Sequence, residues 1–327
     1  MSSVLLDIQN LTTEFQTVTQ RIRAVETLNL QLRQNEILGV AGESGCGKSV
    51  TILSILRLLP PNGFLHPSST ILFKGINLVK LSEKEMNALR GKELSIVFQE
   101  PMGSFNPLFP VGKQIVEVIR THEKGLSLKA AEERAVELFR QVRIPNPHLR
   151  VKDYPFQFSG GMLQRALIAL SLSCFPSLLF ADEPTTALDP STQIGILDLL
   201  LERKEANRMS IFFVSHDLSL LGSISDRICV LYAGRLVEVN TAKELISRPL
   251  HPYTQDLLEA VPRKGTFKTE KRLYSIQGKV PEPQNKPEGC KYHPRCSRVF
   301  DRCRVEEPPL FQRESQLVRC WLYDNTH

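Results

Sequence analysis

Residues 36–50 read Glu-Ile-Leu-Gly-Val-Ala-Gly-Glu-Ser-Gly-Cys-Gly-Lys-Ser-Val, and they decide the fold of this chain. A short apolar run, residues 37–41, leads into an octapeptide with the P-loop pattern G-x-x-x-x-G-K-[ST]. The octapeptide consists of Gly42, Glu43, Ser44, Gly45, Cys46, Gly47, Lys48 and Ser49. A strand is predicted before it and a helix over residues 50–59 after it, which is the context that a P-loop requires.

The chemistry of this loop suits a nucleoside triphosphate. Its glycines let successive backbone N–H groups converge on phosphate oxygens, and the following helix adds the positive end of its dipole. Lys48 is expected to reach the β- and γ-phosphates, and the Ser49 hydroxyl to reach a Mg²⁺ ion. Cys46 lies inside the loop and is expected to pack rather than to react.

Length and composition are those of an ordinary globular protein with room for two domains. The 327 residues are 42% hydrophobic and 23% charged, and the longest apolar run, residues 166–181, is interrupted by polar residues and proline. The first residues lack the features of a signal peptide, so a cytoplasmic location is expected. A net charge of +6 is too mild to indicate a nucleic-acid partner.

The order of elements predicts an α/β fold of the P-loop NTPase type. Strands predicted over residues 4–11, 23–32, 36–41, 94–98, 177–181 and 210–215 alternate with helices, which favours a parallel sheet. A helical subdomain is predicted at about residues 100–165, with helices over 112–122 and 129–142. Beyond about residue 249 the pattern becomes irregular, which predicts a core domain over 1–249 and a small domain over 250–327.

A second motif predicts the metal and the catalytic base. Residues 178–181 are apolar and end in Asp182 and Glu183, at the C-terminal end of a predicted strand. Beside a P-loop, Asp182 is placed to hold Mg²⁺, directly or through water. Glu183 is placed to orient or deprotonate the attacking water.

Four of the seven cysteines, Cys290, Cys296, Cys303 and Cys320, fall within 31 residues. In a cytosolic chain such a group indicates a metal site rather than disulfides. Zinc sites favour cysteines two to four residues apart, whereas an iron–sulfur cluster tolerates wider spacing. An iron–sulfur cluster, Zn²⁺ and free thiols remain as alternatives.

The motifs together resemble the nucleotide-binding subunit of ABC transporters. Gln99 is similar to that family's Q-loop, which implies a Mg²⁺ contact and a catalytic relay, and His216 is similar to the switch histidine. Residues 158–162 resemble the signature segment, although Phe158 replaces the usual Leu and Met162 the usual Gln. Residues 187–189 resemble the D-loop.

The resemblance implies that two such domains pack head to tail around ATP. The nucleotide would lie between the P-loop of one domain and Ser159, Gly160 and Gly161 of the other, with Asp189 at the same boundary. Phe15 is the best-placed aromatic residue to stack on adenine, with core packing as the alternative.

The C-terminal region narrows the resemblance to the peptide/nickel group of importers. Residues 248–255, the loop 100–107 and the four cysteines are similar to those of dipeptide and oligopeptide members, which implies a [4Fe–4S] cluster on the cysteines. The implied partners are two transmembrane permease subunits, a second ABC ATPase subunit and, indirectly, an extracytoplasmic peptide-binding protein. A heterodimer of two related ATPase chains is expected, with pairing of this chain with itself as the alternative. The implied location is peripheral, on the cytoplasmic face of the inner membrane.

The resemblance implies an ATPase that drives the import of di- or oligopeptides. Antimicrobial peptides, a haem precursor or nickel are alternative cargoes. A soluble ABC ATPase acting on DNA or the ribosome is a less favoured alternative, because no coiled-coil insertion or second cassette is present. A binding module that holds ATP without turnover is disfavoured by Glu183 and His216.

Overall fold

The computed structural model describes residues 3–186, 188–260, 275–314 and 316–324. The strands are β1 (Val4–Gln16), β2 (Arg21–Arg33), β3 (Ile37–Ala41), β4 (Gly63–Leu65), β5 (Thr70–Phe73), β6 (Ile76–Asn77), β7 (Leu94–Val97), β8 (Leu178–Asp182), β9 (Ser210–Val214), β10 (Arg227–Tyr232), β11 (Arg235–Thr241), β12 (Phe311–Arg313) and β13 (Gln316–Val318). The α-helices are α1 (Lys48–Ile55), α2 (Glu83–Leu89), α3 (Pro101–Ser104), α4 (Val111–His122), α5 (Leu128–Gln141), α6 (Pro147–Arg150), α7 (Gly160–Leu172), α8 (Pro190–Asn207), α9 (Leu218–Ile224), α10 (Ala242–Ser247), α11 (Pro252–Glu259) and α12 (Asp301–Val305).

These residues form two compact units. The first combines residues 3–79 with the described residues from 213 to 324, and the second consists of the described residues from 80 to 212. The helices predicted for a subdomain at about residues 100–165 lie inside the second unit. The predicted boundary at residue 249 does not coincide with the division between the units and stays a prediction.

The first unit contains an antiparallel sheet in the strand order β2-β1-β5-β6, with β4 also paired to β1. Leu28, Leu30 and Leu32 of β2 are buried while the residues between them are exposed, as expected for a strand with one face on a core. The strands β1 and β2 are longer than predicted because they pair along almost their whole length, from Val4 with Arg33 to Gln16 with Arg21.

The same unit contains the strand order β12-β13-β11-β10-β3. The strands β3 and β10 are parallel, with Leu38 opposite Arg227, and every side chain of β3 is buried. The strands β12 and β13 lie in the C-terminal region and were not predicted, because three-residue strands show no clear periodicity. The strand β13 pairs antiparallel with β11, with Glu238 opposite Val318, and β12 pairs antiparallel with β13.

The helix α1 ends at Ile55, earlier than the predicted end at residue 59. Arg57 takes the left-handed conformation with φ of +53°. Its N–H donates to the Ser54 carbonyl oxygen at 3.2 Å, and the Leu58 N–H donates to the Leu53 carbonyl oxygen at 2.8 Å. These two bonds form a Schellman motif, which satisfies the last carbonyls and stops the helix.

The second unit contains β7 and β8 as parallel neighbours, with Leu94 opposite Leu178, and helices α2 to α8. A capping box begins α2: the Ser82 hydroxyl accepts from the Glu85 N–H, and the Glu85 carboxylate accepts from the Ser82 N–H. In the part of the chain that the structure describes, no helix is both long enough and apolar enough to cross a membrane.

Candidate nucleotide-binding site

The P-loop connects β3 to α1 in the first unit and depends on two glycines. Gly42 has φ of +150°, and a Cβ there would lie 2.4 Å from the Leu231 carbonyl oxygen and 2.6 Å from Cys46 Sγ. Gly47 has φ of +105°, which side chains rarely allow, and a Cβ there would lie 3.0 Å from the Ala24 carbonyl oxygen. Glycine at these positions therefore keeps the loop tightly curled against its neighbours.

Lys48 begins α1 and folds back over the start of the loop. Its side chain donates from Nζ to the carbonyl oxygens of Gly42 at 2.7 Å and Glu43 at 3.1 Å. The residue is 5% exposed, whereas Ser49 next to it is exposed. Cys46 is fully buried, and burial raises the pKa of its thiol, so the group stays neutral and packs.

Glu43 is held by two residues that the sequence analysis missed. The guanidinium of Arg295 donates from Nη1 and Nη2 to the two carboxylate oxygens of Glu43, at 2.6 and 3.0 Å. The hydroxyl oxygen of Tyr253 accepts from the Glu43 N–H at 2.9 Å. Both partners lie in the C-terminal region, more than 200 residues along the chain, where no local pattern points to them.

The second unit holds the two predicted acidic residues. The strand β8 is buried along its length and ends at Asp182, and Glu183 follows with φ of +46°. The Glu183 carboxylate accepts from the Thr186 hydroxyl at 3.0 Å. The strand therefore delivers both carboxylates to its C-terminal end, which is the position that the sequence predicts for them.

Two helix N-termini in the second unit carry the predicted signature and D-loop residues. The Ser159 hydroxyl caps α7 by accepting a backbone N–H at 3.4 Å, and the Asp189 carboxylate caps α8 by accepting the Thr192 N–H at 3.0 Å. A Cβ at Gly161 would lie 2.8 Å from Thr192 Cγ2, so the two N-termini are adjacent. Ala187, part of the predicted D-loop, lies outside the described residues.

Gln99 and His216 each follow a buried strand, Gln99 in the second unit and His216 in the first. Gln99 comes after β7 and is exposed. His216 comes after β9 and is also exposed. Its neighbour Asp217 caps α9, accepting the N–H groups of Ser219 and Leu220 at 2.8 and 3.1 Å, which fixes the turn that carries the histidine.

Phe15 lies near the end of β1 and is half-buried. It pairs with Ile22 on one side and with Gly63 on the other. A Cβ at Gly63 would lie 2.9 Å from Phe15 Cε1, so the ring covers that glycine. The ring therefore packs on β4 and keeps part of its surface exposed, and its stacking on adenine stays a prediction.

The four clustered cysteines, Cys290, Cys296, Cys303 and Cys320, line one cavity in the first unit. The Cys290 N–H donates to the Cys303 carbonyl oxygen at 2.9 Å. Burial raises the pKa of Cys290 to about 11 and that of Cys320 to about 12. Across the described residues, no three side chains of His, Cys, Asp or Glu lie close enough together to hold a single metal ion.

Family models match two parts of the chain. Residues 25–186 match the ABC transporter family, and residues 237–303 match the C-terminal region of oligopeptide/dipeptide transporters. Among solved structures, the chain is similar to the ATP-binding cassette MJ0796 in a dimeric state bound to ADP and phosphate. The TM-score is 0.65 at 25% identity, over 72% of this chain and 98% of that one.

Curated relatives match almost from end to end. A dipeptide transport ATP-binding protein of Haemophilus influenzae is 43% identical over 97% of this chain and 94% of its own length. An oligopeptide transport ATP-binding protein of Bacillus subtilis is 43% identical over 97% of this chain and 88% of its own length. The dipeptide transport ATP-binding protein of Escherichia coli is 42% identical over 94% of this chain and 92% of its own length. This chain therefore belongs to the ABC transporter ATP-binding proteins, with their P-loop α/β fold, in the group that carries the oligopeptide/dipeptide transporter C-terminal region.

Proposed function

We propose that this chain hydrolyses ATP to energise the import of di- or oligopeptides, as a peripheral subunit on the cytoplasmic face of the inner membrane. The observation that carries the proposal is similarity over nearly the whole chain, including both the P-loop and the C-terminal region, to dipeptide and oligopeptide transport ATP-binding proteins. Similarity in the P-loop part alone would support ATP hydrolysis, but it would not indicate which class of cargo is transported.

The nucleotide would bind at the P-loop in the first unit. Lys48 begins a helix whose N-terminal N–H groups point toward the loop. The positive charge of Lys48 and the helix dipole therefore both favour the binding of phosphate. Ser49, Gln99 and Asp182 would hold Mg²⁺, which neutralises charge on the transferred phosphoryl group when bound.

Hydrolysis would use Glu183 and His216. Glu183 would orient the attacking water and accept its proton, and His216 would contact the γ-phosphate. The capped helix beginning at Ser159, Gly160 and Gly161 offers a second N-terminus for phosphate, which we assign to the site of a second, related ATPase chain in a heterodimer.

The helical part of the second unit would dock on the permease. Between residues 100 and 150, Met102, Leu108, Phe109 and Leu149 are large apolar side chains that are exposed. Exposed apolar surface of this kind suits contact with a protein partner. We propose that the partners here are two transmembrane permease subunits. A peptide-binding protein on the opposite side of the membrane would deliver the cargo to them.

We assign the four cysteines to a [4Fe–4S] cluster rather than to Zn²⁺. A zinc ion needs its thiolates at about 2.3 Å from one point, and the described residues contain no such group. A cluster takes one cysteine at each of four irons, so its ligands stay further apart while lining one cavity. When bound, the cluster would link the segments that carry the cysteines, which is a structural role.

Anaerobic purification followed by metal analysis tests the cluster. We expect a brown protein with about four irons and four sulfides per chain, as a [4Fe–4S] cluster contains. Cys320→Ser is expected to lose the iron, whereas Cys174→Ser, at a buried cysteine of the second unit, is expected to keep it. Zinc alone, or no metal in the wild-type protein, would contradict the cluster and leave the ATPase proposal standing.

Uptake of a labelled dipeptide by cells lacking this chain tests the cargo. We expect uptake to fall to background and to return with the wild-type chain, while uptake of the free amino acids is unchanged. Unchanged dipeptide uptake together with lost nickel, haem-precursor or antimicrobial-peptide uptake would replace the cargo but keep the transport function. A chain whose ATPase needs no permease would favour a soluble ATPase instead.

A further inference from the structure

The C-terminal region contacts the P-loop through an arginine that is held rigidly. The side chain of Arg295 is only 4% exposed although it is charged, and the side chain of its partner Glu43 is 28% exposed. Its guanidinium lies 5.8 and 5.9 Å from the ring centroids of Tyr232 and Tyr292, and its Nε donates to the Gln277 carbonyl oxygen at 2.8 Å. A guanidinium fixed in this way is already positioned for a bidentate bond to a carboxylate.

The second contact, from Tyr253, is equally well supported. Tyr253 belongs to α11 and is fully buried, with its ring centroid 4.6 Å from that of Tyr232 and 5.2 Å from that of Tyr292. The Tyr292 hydroxyl in turn donates to the Asp256 carboxylate. Burial raises the pKa of Tyr253 above its usual range, so its hydroxyl remains neutral beside Glu43.

Glu43 is an acidic residue within the loop that we propose to bind phosphate. It occupies the second position of the P-loop, where a carboxylate would repel the polyphosphate chain. Arg295 neutralises this charge with two hydrogen bonds, and Tyr253 holds the backbone of the same residue. Without Arg295 the negative charge of the carboxylate would stay uncompensated within the loop, and the loop would lose the two hydrogen bonds that tie Glu43 to the C-terminal region.

We propose that Arg295 and Tyr253 are positioning residues of the nucleotide site, so that the four-cysteine region helps to set the affinity for nucleotide. The proposal rests on the proposed binding of ATP by the P-loop. Arg295 directly precedes Cys296, so the segment that orders this cysteine also orders the arginine. The C-terminal region is then part of the ATP site as well as of the four-cysteine cavity.

The rival explanation is that the ion pair only anchors the C-terminal region. Two substitutions that break the same ion pair distinguish the two explanations, because they are expected to change nucleotide affinity in opposite directions if Arg295 is a positioning residue. Arg295→Ala leaves a negative charge at the P-loop, whereas Glu43→Gln leaves a positive one. If the pair were only an anchor, both would act alike on stability and neither would change nucleotide affinity.

The test is calorimetric titration of the full-length chain with Mg²⁺ and ADP, which binds without turnover. We expect Arg295→Ala to weaken ADP binding by about tenfold, as one uncompensated charge near the phosphates implies. Glu43→Gln is expected to bind at least as tightly as the wild type, and the double variant to recover the affinity lost in Arg295→Ala. Arg304→Ala, at an exposed arginine of α12, is the matched control and is expected to bind like the wild type.

Equal ADP affinity in wild type, Arg295→Ala and Arg304→Ala would overturn the inference. A wild-type chain that binds no ADP would overturn the proposed function itself. If Arg295→Ala does not fold, Tyr253→Phe gives a second test, because it removes only the hydroxyl group whose oxygen accepts the Glu43 N–H. We expect faster hydrogen exchange at residues 43–47 in that variant, and unchanged exchange and affinity would count against the proposal.

Discussion

Replacement of Glu183 by glutamine is expected to lower ATP turnover by about 10²- to 10⁴-fold, the contribution typical of a positioned general base. The amide has nearly the shape of the carboxylate but does not accept a proton. The amide oxygen can still accept a hydrogen bond from the Thr186 hydroxyl, which lies 3.0 Å from the carboxylate. Glutamine also has the same β-carbon as glutamate at this left-handed backbone position. The local structure is therefore expected to persist while ATP hydrolysis becomes much slower.

Phosphate release and ADP binding by the same preparation check this expectation. Nucleotide affinity should stay unchanged in Glu183→Gln, because P-loop binding does not use this carboxylate. Asp198→Asn, at an exposed carboxylate of α8, makes the same kind of change away from the site and should retain turnover. Full activity in Glu183→Gln would show that another group activates the water.

Replacement of Lys48 by alanine is expected to weaken nucleotide binding by roughly ten- to a hundredfold, the equivalent of one or two lost charge-assisted contacts. The ammonium is buried at the start of α1 and donates to two loop carbonyls, of Gly42 and Glu43. The loss of the ammonium group therefore removes a positive charge that would bind phosphate, and it also removes two hydrogen bonds that order the loop.

Titration with ADP and Mg²⁺ measures this loss, with circular dichroism to confirm that the chain is folded. Lys243→Ala, at an exposed lysine of α10, is the matched control and should bind like the wild type. Wild-type affinity in a folded Lys48→Ala protein would mean that phosphate is held elsewhere, and the P-loop assignment would be wrong.

Local sequence predicted the parts of the site that lie on single elements. The P-loop pattern and the run ending in Asp182 and Glu183 each describe one strand and the turn after it, so spacing alone locates them. The capping box of α2 likewise depends only on nearby residues, because Ser82 and Glu85 are one turn apart. Features of this sort need only the backbone geometry of a few neighbouring residues.

The parts that sequence did not predict depend on distant contacts or on single backbone angles. The pair between Glu43 and Arg295 joins residues 252 positions apart, and one of the two rings beside the arginine, that of Tyr232, comes from β10. The early end of α1 depends on Arg57 taking a left-handed conformation that its residue type does not indicate. Such features arise only once the tertiary structure is formed.

The pairing of β13 with β11 has a consequence for solubility. With β13 removed, β11 would offer an open row of N–H and C=O groups to other chains, which is how sheets join into aggregates. In the structure, β13 covers that row and β12 becomes the outermost strand. It is only three residues long, follows Pro308 and Pro309, and ends in Arg313, features that make poor templates for further pairing. The C-terminal region thereby protects the sheet edge from self-association.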